Sequence, residues 1–295
     1  MDERTRRRAS RRRFLCGAAC GAAAVAAPGL LAGAKGRWPM RLSTSSIEFS
    51  KLPIEQAVER IAKLGFDAVD IWSAHAGCPH LDDVAKRLGP GGLKELLAKH
   101  KLDLYAFSVY RGGYKRYAEL LGAAGGGVAV RGSAGACKPA ELTARMKQFL
   151  EGVKPLADLA AKHNSYLAIE NHGGALLSTL DSFKAFVDHN RHERLGIALA
   201  PYHLQRLKVS VAEAIGVAGK QLLFFYAWQH ARGVGQLPGH GPTDFTPWLA
   251  ALAKVRFRFP VNPFMHHEPA PDVMSAALAK ARDYLRACHA KAVGA

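Results

Sequence analysis

The residues of this sequence best suited to chemistry follow a short apolar run. Residues 167–172 are Leu-Ala-Ile-Glu-Asn-His, so the run ends in a carboxylate, an amide and an imidazole. An apolar segment of this length predicts a buried strand, and α/β enzymes build their sites at strand ends. Because a bare buried charge is costly, Glu170 must be paired, hydrated or bound to a cation. A structural salt bridge is the alternative to a functional carboxylate.

Other predicted strands end in side chains of similar chemistry. One such histidine alone is most often an ordinary hydrogen-bonded residue, but several at neighbouring strand ends favour a shared site. Histidine and glutamate are the usual residues of metal sites and of general acid–base catalysis. The candidates beside Glu170 are Trp72, His172, Tyr202, His203, Trp228, Gln229, His230, Asn262 and His266, with His240 in a glycine-rich loop.

The elements that must position these residues are alternating strands and helices. Amphipathic helices are predicted between the strands, for example over residues 53–64, 139–162 and 211–218. The pattern predicts an α/β protein with one domain over residues 38–295, a (β/α)8 TIM barrel, with an open doubly wound sheet as the alternative. No G-x-G-x-x-G follows the first strand, so no nucleotide cofactor is expected. The predicted strands cover residues 40–46, 68–72, 102–108, 127–130, 166–170, 195–200, 222–227 and 260–265.

Residues 1–34 predict a twin-arginine-type signal peptide. Residues 10–15 are Ser-Arg-Arg-Arg-Phe-Leu, residues 16–34 carry no charge, and residues 32–34 offer an A-x-A cleavage site. This order is typical of export by the twin-arginine route. We expect a periplasmic or extracytoplasmic protein without a stable membrane span after cleavage. The alternatives are a membrane anchor and a disordered basic tail.

Charge and cysteine content narrow the classes of partner. The formal net charge is +17, and the leader contributes seven Arg against two acidic residues. The remaining excess of positive charge is spread along helices without a nucleic-acid motif, so no nucleic-acid partner is predicted. An anionic substrate stays open.

Cys78, Cys137 and Cys288 lack CxxC spacing. A zinc ribbon is therefore not expected, and at most one disulfide can form among them. The oligomeric state is left open.

The order of the strand-end motifs resembles the xylose isomerase-like barrels, the sugar phosphate isomerase/epimerase group. The resemblance covers about residue 40 to the C-terminus. It implies one divalent metal held at four strand ends by Glu, Asp, His and Glu. It also implies proton transfer next to a sugar carbonyl, with two carboxylates as acid and base. The motifs are Glu170-Asn171-His172, Ala200-Pro201-Tyr202-His203, Pro238-Gly239-His240-Gly241 and Asn262-Pro263-Phe264.

Three of the four metal positions that the resemblance implies are altered in this chain. Glu170 matches the first Glu, and His203 matches a histidine that faces substrate in the family. The family Asp falls on Ala200, which has no donor atom. The family His falls near Gln229 and the last Glu on Asn262. Losing these negative charges removes most of the attraction for a divalent cation, and Asn262 cannot be the second carboxylate.

We therefore expect a sugar or polyol isomerase/epimerase-like protein with an altered metal site. Glu170 would be the base, assisted by His203 or His230, and a relocated metal would use Glu170, His203 and His266. A metal-free enzyme is equally open, because histidine is suited to acid or base roles. The other functions considered are a non-catalytic carbohydrate-binding barrel and a lyase or hydrolase on oxidised sugars. The predicted substrate contacts are Trp72, His172, Tyr202, Trp228, Gln229, His240 and Asn262.

Overall fold

The computed structural model describes residues 37–73, 77–110 and 113–294, so the predicted signal peptide lies outside the described residues. Eight parallel strands follow one another around one sheet in chain order. A parallel bridge between Leu42 and Val261 brings the last strand against the first and nearly closes the barrel. This confirms the predicted (β/α)8 barrel. The strands are β1 Ser43–Ser45, β2 Ala68–Trp72, β3 Asp103–Ser108, β4 Gly127–Gly132, β5 Ser165–Glu170, β6 Leu195–Leu199, β7 Leu222–Ala227 and β8 Val261–Pro263.

The helices surround the sheet and pack their apolar faces against it. In α5, for example, Met146, Leu150 and Val153 are buried at helical spacing. Within the described part of the chain, no helix is long and apolar enough to cross a bilayer. The helices are α1 Ile54–Lys63, α2 His80–Asp83, α3 Gly89–His100, α4 Tyr114–Ala123, α5 Leu142–Lys162, α6 Leu180–His189, α7 Pro201–Arg206, α8 Val211–Ala218, α9 Thr246–Lys254 and α10 Pro271–Ala292.

The glycine-rich stretch before α5 contains a strand, as predicted for residues 127–130. Strand β4 runs through it, and helix α4 precedes the strand. Glycine is needed where β4 begins. A Cβ on Gly127 would collide with the backbone oxygen of Tyr105, and its φ of +148° disfavours other residues. The glycines thus serve close packing of β4 on β3.

Side chains alternate between the inside of the barrel and the helix layer, as strand geometry requires. On β7, Phe224 and Tyr226 face inward, and Phe224 stacks on Tyr105 with ring centroids 4.7 Å apart. This aromatic layer fills the lower part of the barrel. Above it, the inward positions become polar, with Asp70 on β2 and Ser108 on β3 fully buried. The change from apolar to polar marks the start of the candidate site.

The three cysteines that follow the predicted signal peptide, Cys78, Cys137 and Cys288, are free thiols. No disulfide among these three therefore contributes to the stability of the barrel.

The tight interior leads to a test at Gly196 on β6. A Cβ there would press on the backbone oxygen of Gln221 and the side chain of Leu223. We expect Gly196→Ala to lower the free energy of unfolding by roughly 1–3 kcal/mol through overpacking. Gly216 on α8 has open space around it, so Gly216→Ala should instead raise stability by about 0.5–1 kcal/mol. Chemical denaturation measures both, and equal effects would contradict the packing argument.

Candidate active site

Glu170 ends β5 and points into the mouth of the barrel. It is 8% exposed, and its Oε2 accepts a hydrogen bond of 2.6 Å from the Tyr110 hydroxyl. Burial raises the pKa of Glu170 to about 7, and the bond from Tyr110 opposes this rise only in part. Near neutral pH the carboxyl is therefore present in both protonation states. Such a group can take a proton and return it.

A chain of hydroxyl groups connects Glu170 to a second buried carboxyl. The hydroxyls of Tyr110 and Tyr226 are 3.1 Å apart, and Tyr226 lies 3.4 Å from the Ser108 hydroxyl. Ser108 donates to Asp70 at 2.9 Å. Burial raises the pKa of both tyrosines well above the ordinary value, so they stay protonated. Three neutral hydroxyls thus link two carboxyl groups across the barrel.

Asp70 is held by donors from neighbouring strand ends. Its Oδ2 accepts hydrogen bonds from Ser45 at 2.8 Å and from the Trp72 indole at 2.6 Å. Burial nevertheless raises the pKa of Asp70 to about 6. Asn262 joins the same network, with its amide bonded to Ser43 at 2.8 Å and to Ser45 at 3.0 Å. The network therefore connects β1 and β8 to Asp70 on β2.

A cavity of about 400 Å³ opens above Glu170. Its walls are mostly aromatic, but many of the rings cover one another. Tyr202 stacks on Trp228 with centroids 4.3 Å apart, and Trp72 stacks on Phe264 at 5.2 Å. Trp72 and Trp228 are only 2% and 3% exposed, so only small parts of these rings are open to a ligand. The lining is Trp72, Tyr110, Glu170, His172, Tyr202, His203, Tyr226, Trp228, Ala231, Arg232, Gly233, Gln236, Phe264, His266 and His267.

His203 stands beside His172 at one side of this cavity, with ring centroids 3.9 Å apart. It is 5% exposed, and among the described residues its Nδ1 has no hydrogen-bond partner. Burial, together with electrostatic interactions with His172, Arg206 and His266, lowers the pKa of His203 to about 3. His203 is therefore neutral at ordinary pH. It can form hydrogen bonds with a ligand but does not serve as an imidazolium acid.

Gln229 and Asn262, two predicted substrate contacts, are not among the residues that line the cavity. Both are fully buried. The Gln229 amide donates to the Leu237 carbonyl at 2.8 Å and accepts from the Thr243 backbone at 2.9 Å. Asn262 is occupied by its serine partners on β1. These amides hold strand ends and loops together, because a buried amide must satisfy its own hydrogen bonds.

His240 and His230 also lie outside the cavity lining. The His240 ring is hydrogen-bonded at 3.0 Å to the carbonyl of Ala277 on α10, which fixes the glycine-rich loop to that helix. His230 is exposed, and its ring contacts Tyr202 with centroids 4.9 Å apart. The predicted roles of these histidines in catalysis or binding gain no support from their positions.

The residues at the metal positions do not fit a divalent ion. Ala200 offers no donor, and the two amides described above use their oxygens for internal hydrogen bonds. The relocated set of Glu170, His203 and His266 lines one cavity, but it is not a ligand group. In the described chain, no three His, Cys, Asp or Glu side chains are placed to hold a metal ion. The geometry offers hydrogen bonds and proton transfer instead.

The structure adds site residues that the sequence reasoning missed. Asp70 is a lone carboxylate inside the apolar run Ala-Val-Asp-Ile-Trp, the same kind of signal that marked Glu170. Tyr226 lies two positions before Trp228 and so faces the same side of β7. Ser108 and Tyr110 gave no comparable signal, because serine and tyrosine near a strand end are common.

The Tyr110 hydrogen bond makes a prediction about the pKa of Glu170. Tyr110→Phe removes a donor that favours the charged carboxylate, so the pKa of Glu170 should rise above about 7. Carbon-13 NMR titration of labelled glutamate side chains measures it. Tyr166→Phe is the control. Tyr166 lies on β5, the strand that Glu170 ends, and its replacement should leave this pKa unchanged. A pKa that falls or stays constant in Tyr110→Phe would show that the hydroxyl does not stabilise the charge.

Solved structures of this fold include enzymes that act on carbohydrates. Apo 3-keto-D-glucoside 4-epimerase from E. coli is 17% identical, with a TM-score of 0.64, over 83% of this chain and 100% of its own. A probable 3-DHS dehydratase of petrobactin synthesis from Bacillus anthracis is 14% identical, with a TM-score of 0.66, over 81% and 97%. The IOLI protein, solved with zinc, is 16% identical, with a TM-score of 0.65, over 85% and 99%. Such identities establish the fold alone.

Sequence comparison with curated proteins gives no significant match. A family profile described as xylose isomerase-like TIM barrel matches residues 58–288. This match spans most of the chain, and the eight-stranded parallel barrel agrees with it. The chain therefore belongs to the xylose isomerase-like TIM barrel family.

Proposed function

We propose that this protein is a carbohydrate isomerase or epimerase that transfers a proton at a carbon next to a carbonyl. The observation that carries the proposal is Glu170. It is a buried carboxyl with a pKa near 7, at a strand end, bordering an aromatic-walled cavity. The epimerase and the dehydratase with the same fold support an activity on sugars or related compounds.

In the proposed reaction, the Glu170 carboxylate removes the proton, and the C–H electron pair becomes the C=C bond of an enediolate. The carbonyl oxygen takes up the negative charge, and His203, neutral at ordinary pH, is suited to hydrogen-bond the substrate. Protonation of the opposite face of the same carbon, by a cavity-lining donor other than Glu170, gives an epimer. Return of the proton from Glu170 to the neighbouring carbon, while the hydroxyl proton on the first carbon moves to the former carbonyl oxygen, gives an isomer.

The hydroxyl chain gives the proton that Glu170 takes up a second acceptor. When Glu170 is protonated, each hydroxyl from Tyr110 to Ser108 can turn its hydrogen towards Asp70. When Asp70 is protonated, the same hydrogens point towards Glu170. In either direction, one acidic proton and three hydroxyl hydrogens occupy the four hydrogen bonds between the two carboxyl groups. Asp70 is fully buried and does not line the cavity, so it can store this proton but does not contact the substrate.

A first test follows proton exchange directly. Aldoses, ketoses and their oxidised or phosphorylated forms are incubated with the protein in D₂O, and NMR detects deuterium at the carbon next to the carbonyl. We expect exchange in the wild type and a loss of ~10²–10⁴-fold in Glu170→Gln, the usual contribution of a general base. Glu193→Gln, at the opposite end of the barrel, should retain full activity. Saturable binding without exchange would support a non-catalytic carbohydrate-binding protein instead.

The pH dependence of exchange provides a second measurement on the same proteins. Because Glu170 acts as the deprotonated base, kcat/KM should rise with pH and level off above about 7. A profile that levels off near 4.5 would assign the base to an ordinary, solvated carboxylate.

We further propose that the protein works outside the cytoplasm, as the order of residues 10–34 suggests. Replacing Arg11 and Arg12 together by Lys keeps the charge but removes the paired arginines. We expect this variant to stay in the cytoplasm, as measured by cell fractionation. Replacing Arg6 and Arg7 by Lys, outside the motif, should not change export, and equal export of both variants would contradict the twin-arginine route.

A further inference from the structure

A second cavity adjoins the one above Glu170. It has a volume of about 340 Å³ and is lined by Gly173, Gly174, His203, Arg206 and Leu207. His203 lines both cavities, so this residue separates them. A ligand with its reacting carbon near Glu170 would have to extend past His203 to reach Arg206.

Arg206 stands out by its unpaired charge. Within the described residues, its side chain forms no ion pair or hydrogen bond, whereas Arg60 and Arg87 are paired with carboxylates. The described residues that line the two cavities include Arg206, Arg232 and several histidines, but Glu170 is their only carboxylate. This excess of positive charge is complementary to an anion.

The loop after β5 leaves room for such an anion. Gly173 and Gly174 line the second cavity, and a Cβ on either would meet no atom within 4 Å. An incoming group can thus approach the loop backbone closely.

We propose that the second cavity is a subsite for an anionic substituent of the sugar, a carboxylate or a phosphate, bound by Arg206. The planar guanidinium matches either oxyanion with two parallel hydrogen bonds. This inference rests on the proposed function for the reacting end of the substrate. It narrows the substrate to sugar acids or sugar phosphates.

Calorimetric titration of the full protein with D-glucuronate, D-glucose 6-phosphate and D-glucose tests the subsite, because these share a carbon skeleton and differ in charge. We expect at least one anion to bind more tightly than D-glucose. Arg206→Gln should weaken that binding by roughly 10–100-fold, the usual scale for a charged hydrogen bond. Arg206→Lys should restore part of the affinity. Arg206 is exposed, so these variants should fold normally.

Arg191→Gln is the matched control. Arg191 is also exposed, but it precedes β6 at the opposite end of the barrel, so its loss should not change affinity. The proposal is overturned if D-glucose binds as well as both anions, if neither anion binds at millimolar concentration, or if Arg206→Gln behaves like Arg191→Gln. Comparing the two anions identifies which charged group the subsite prefers.

The same titrations separate this inference from the proposed function. Binding of an anion through Arg206 without deuterium exchange in any sugar would retain the subsite and reject the isomerase. Exchange in neutral sugars, with no preference for anions, would retain the isomerase and reject the subsite.

Discussion

The site depends on the burial of two carboxyl groups inside the barrel. A charge removed from water is costly, and the protein meets this cost with hydrogen bonds rather than with a positive partner. Glu170 accepts a hydrogen bond from Tyr110, and Asp70 accepts hydrogen bonds from Ser45, Trp72 and Ser108. Desolvation still exceeds these bonds, so both pKa values lie near neutrality. The ability to exchange protons is therefore a consequence of where the strands place the carboxyls.

This arrangement also explains how the chain differs from the pattern that its family resemblance implies. A divalent metal would stabilise negative charge on substrate oxygens, but the positions that would hold it are an alanine and two hydrogen-bonded amides. The cavities instead present a neutral His203 together with Arg206 and Arg232. Fixed cations and hydrogen-bond donors can stabilise developing charge in a site that largely excludes water. The cavities thus offer fixed positive charge, although the metal positions that the resemblance implies keep only Glu170 as a charged ligand.

The fold could be predicted from the sequence because the spacing of apolar residues reflects which side chains are buried. Strands β2 and β7, for example, have the bounds that the apolar runs indicate. The site could be predicted only in part. Glu170 stood out because a carboxylate ended an apolar strand. The predicted role of Gln229 gains no support from its internal hydrogen bonds, because a strand-end position does not reveal whether a side chain faces the cavity or a neighbouring loop. Tyr110 was missed because its importance comes from a contact with Glu170, sixty residues away in the chain, which no local pattern records.

The raised pKa of Glu170 also has a cost for folding. In the unfolded chain this carboxyl titrates near its ordinary value of 4.5, whereas in the folded protein it titrates at about 7. Its contribution to stability is therefore fully present below about 4.5 and is lost as the pH rises through about 7. The difference corresponds to roughly 3 kcal/mol at most, a large share of the stability of a typical domain. The glycine-dependent close packing between the strands and the apolar helix layer must offset this cost. A tightly packed barrel is thus what allows a carboxyl suited to proton transfer to stay buried at neutral pH.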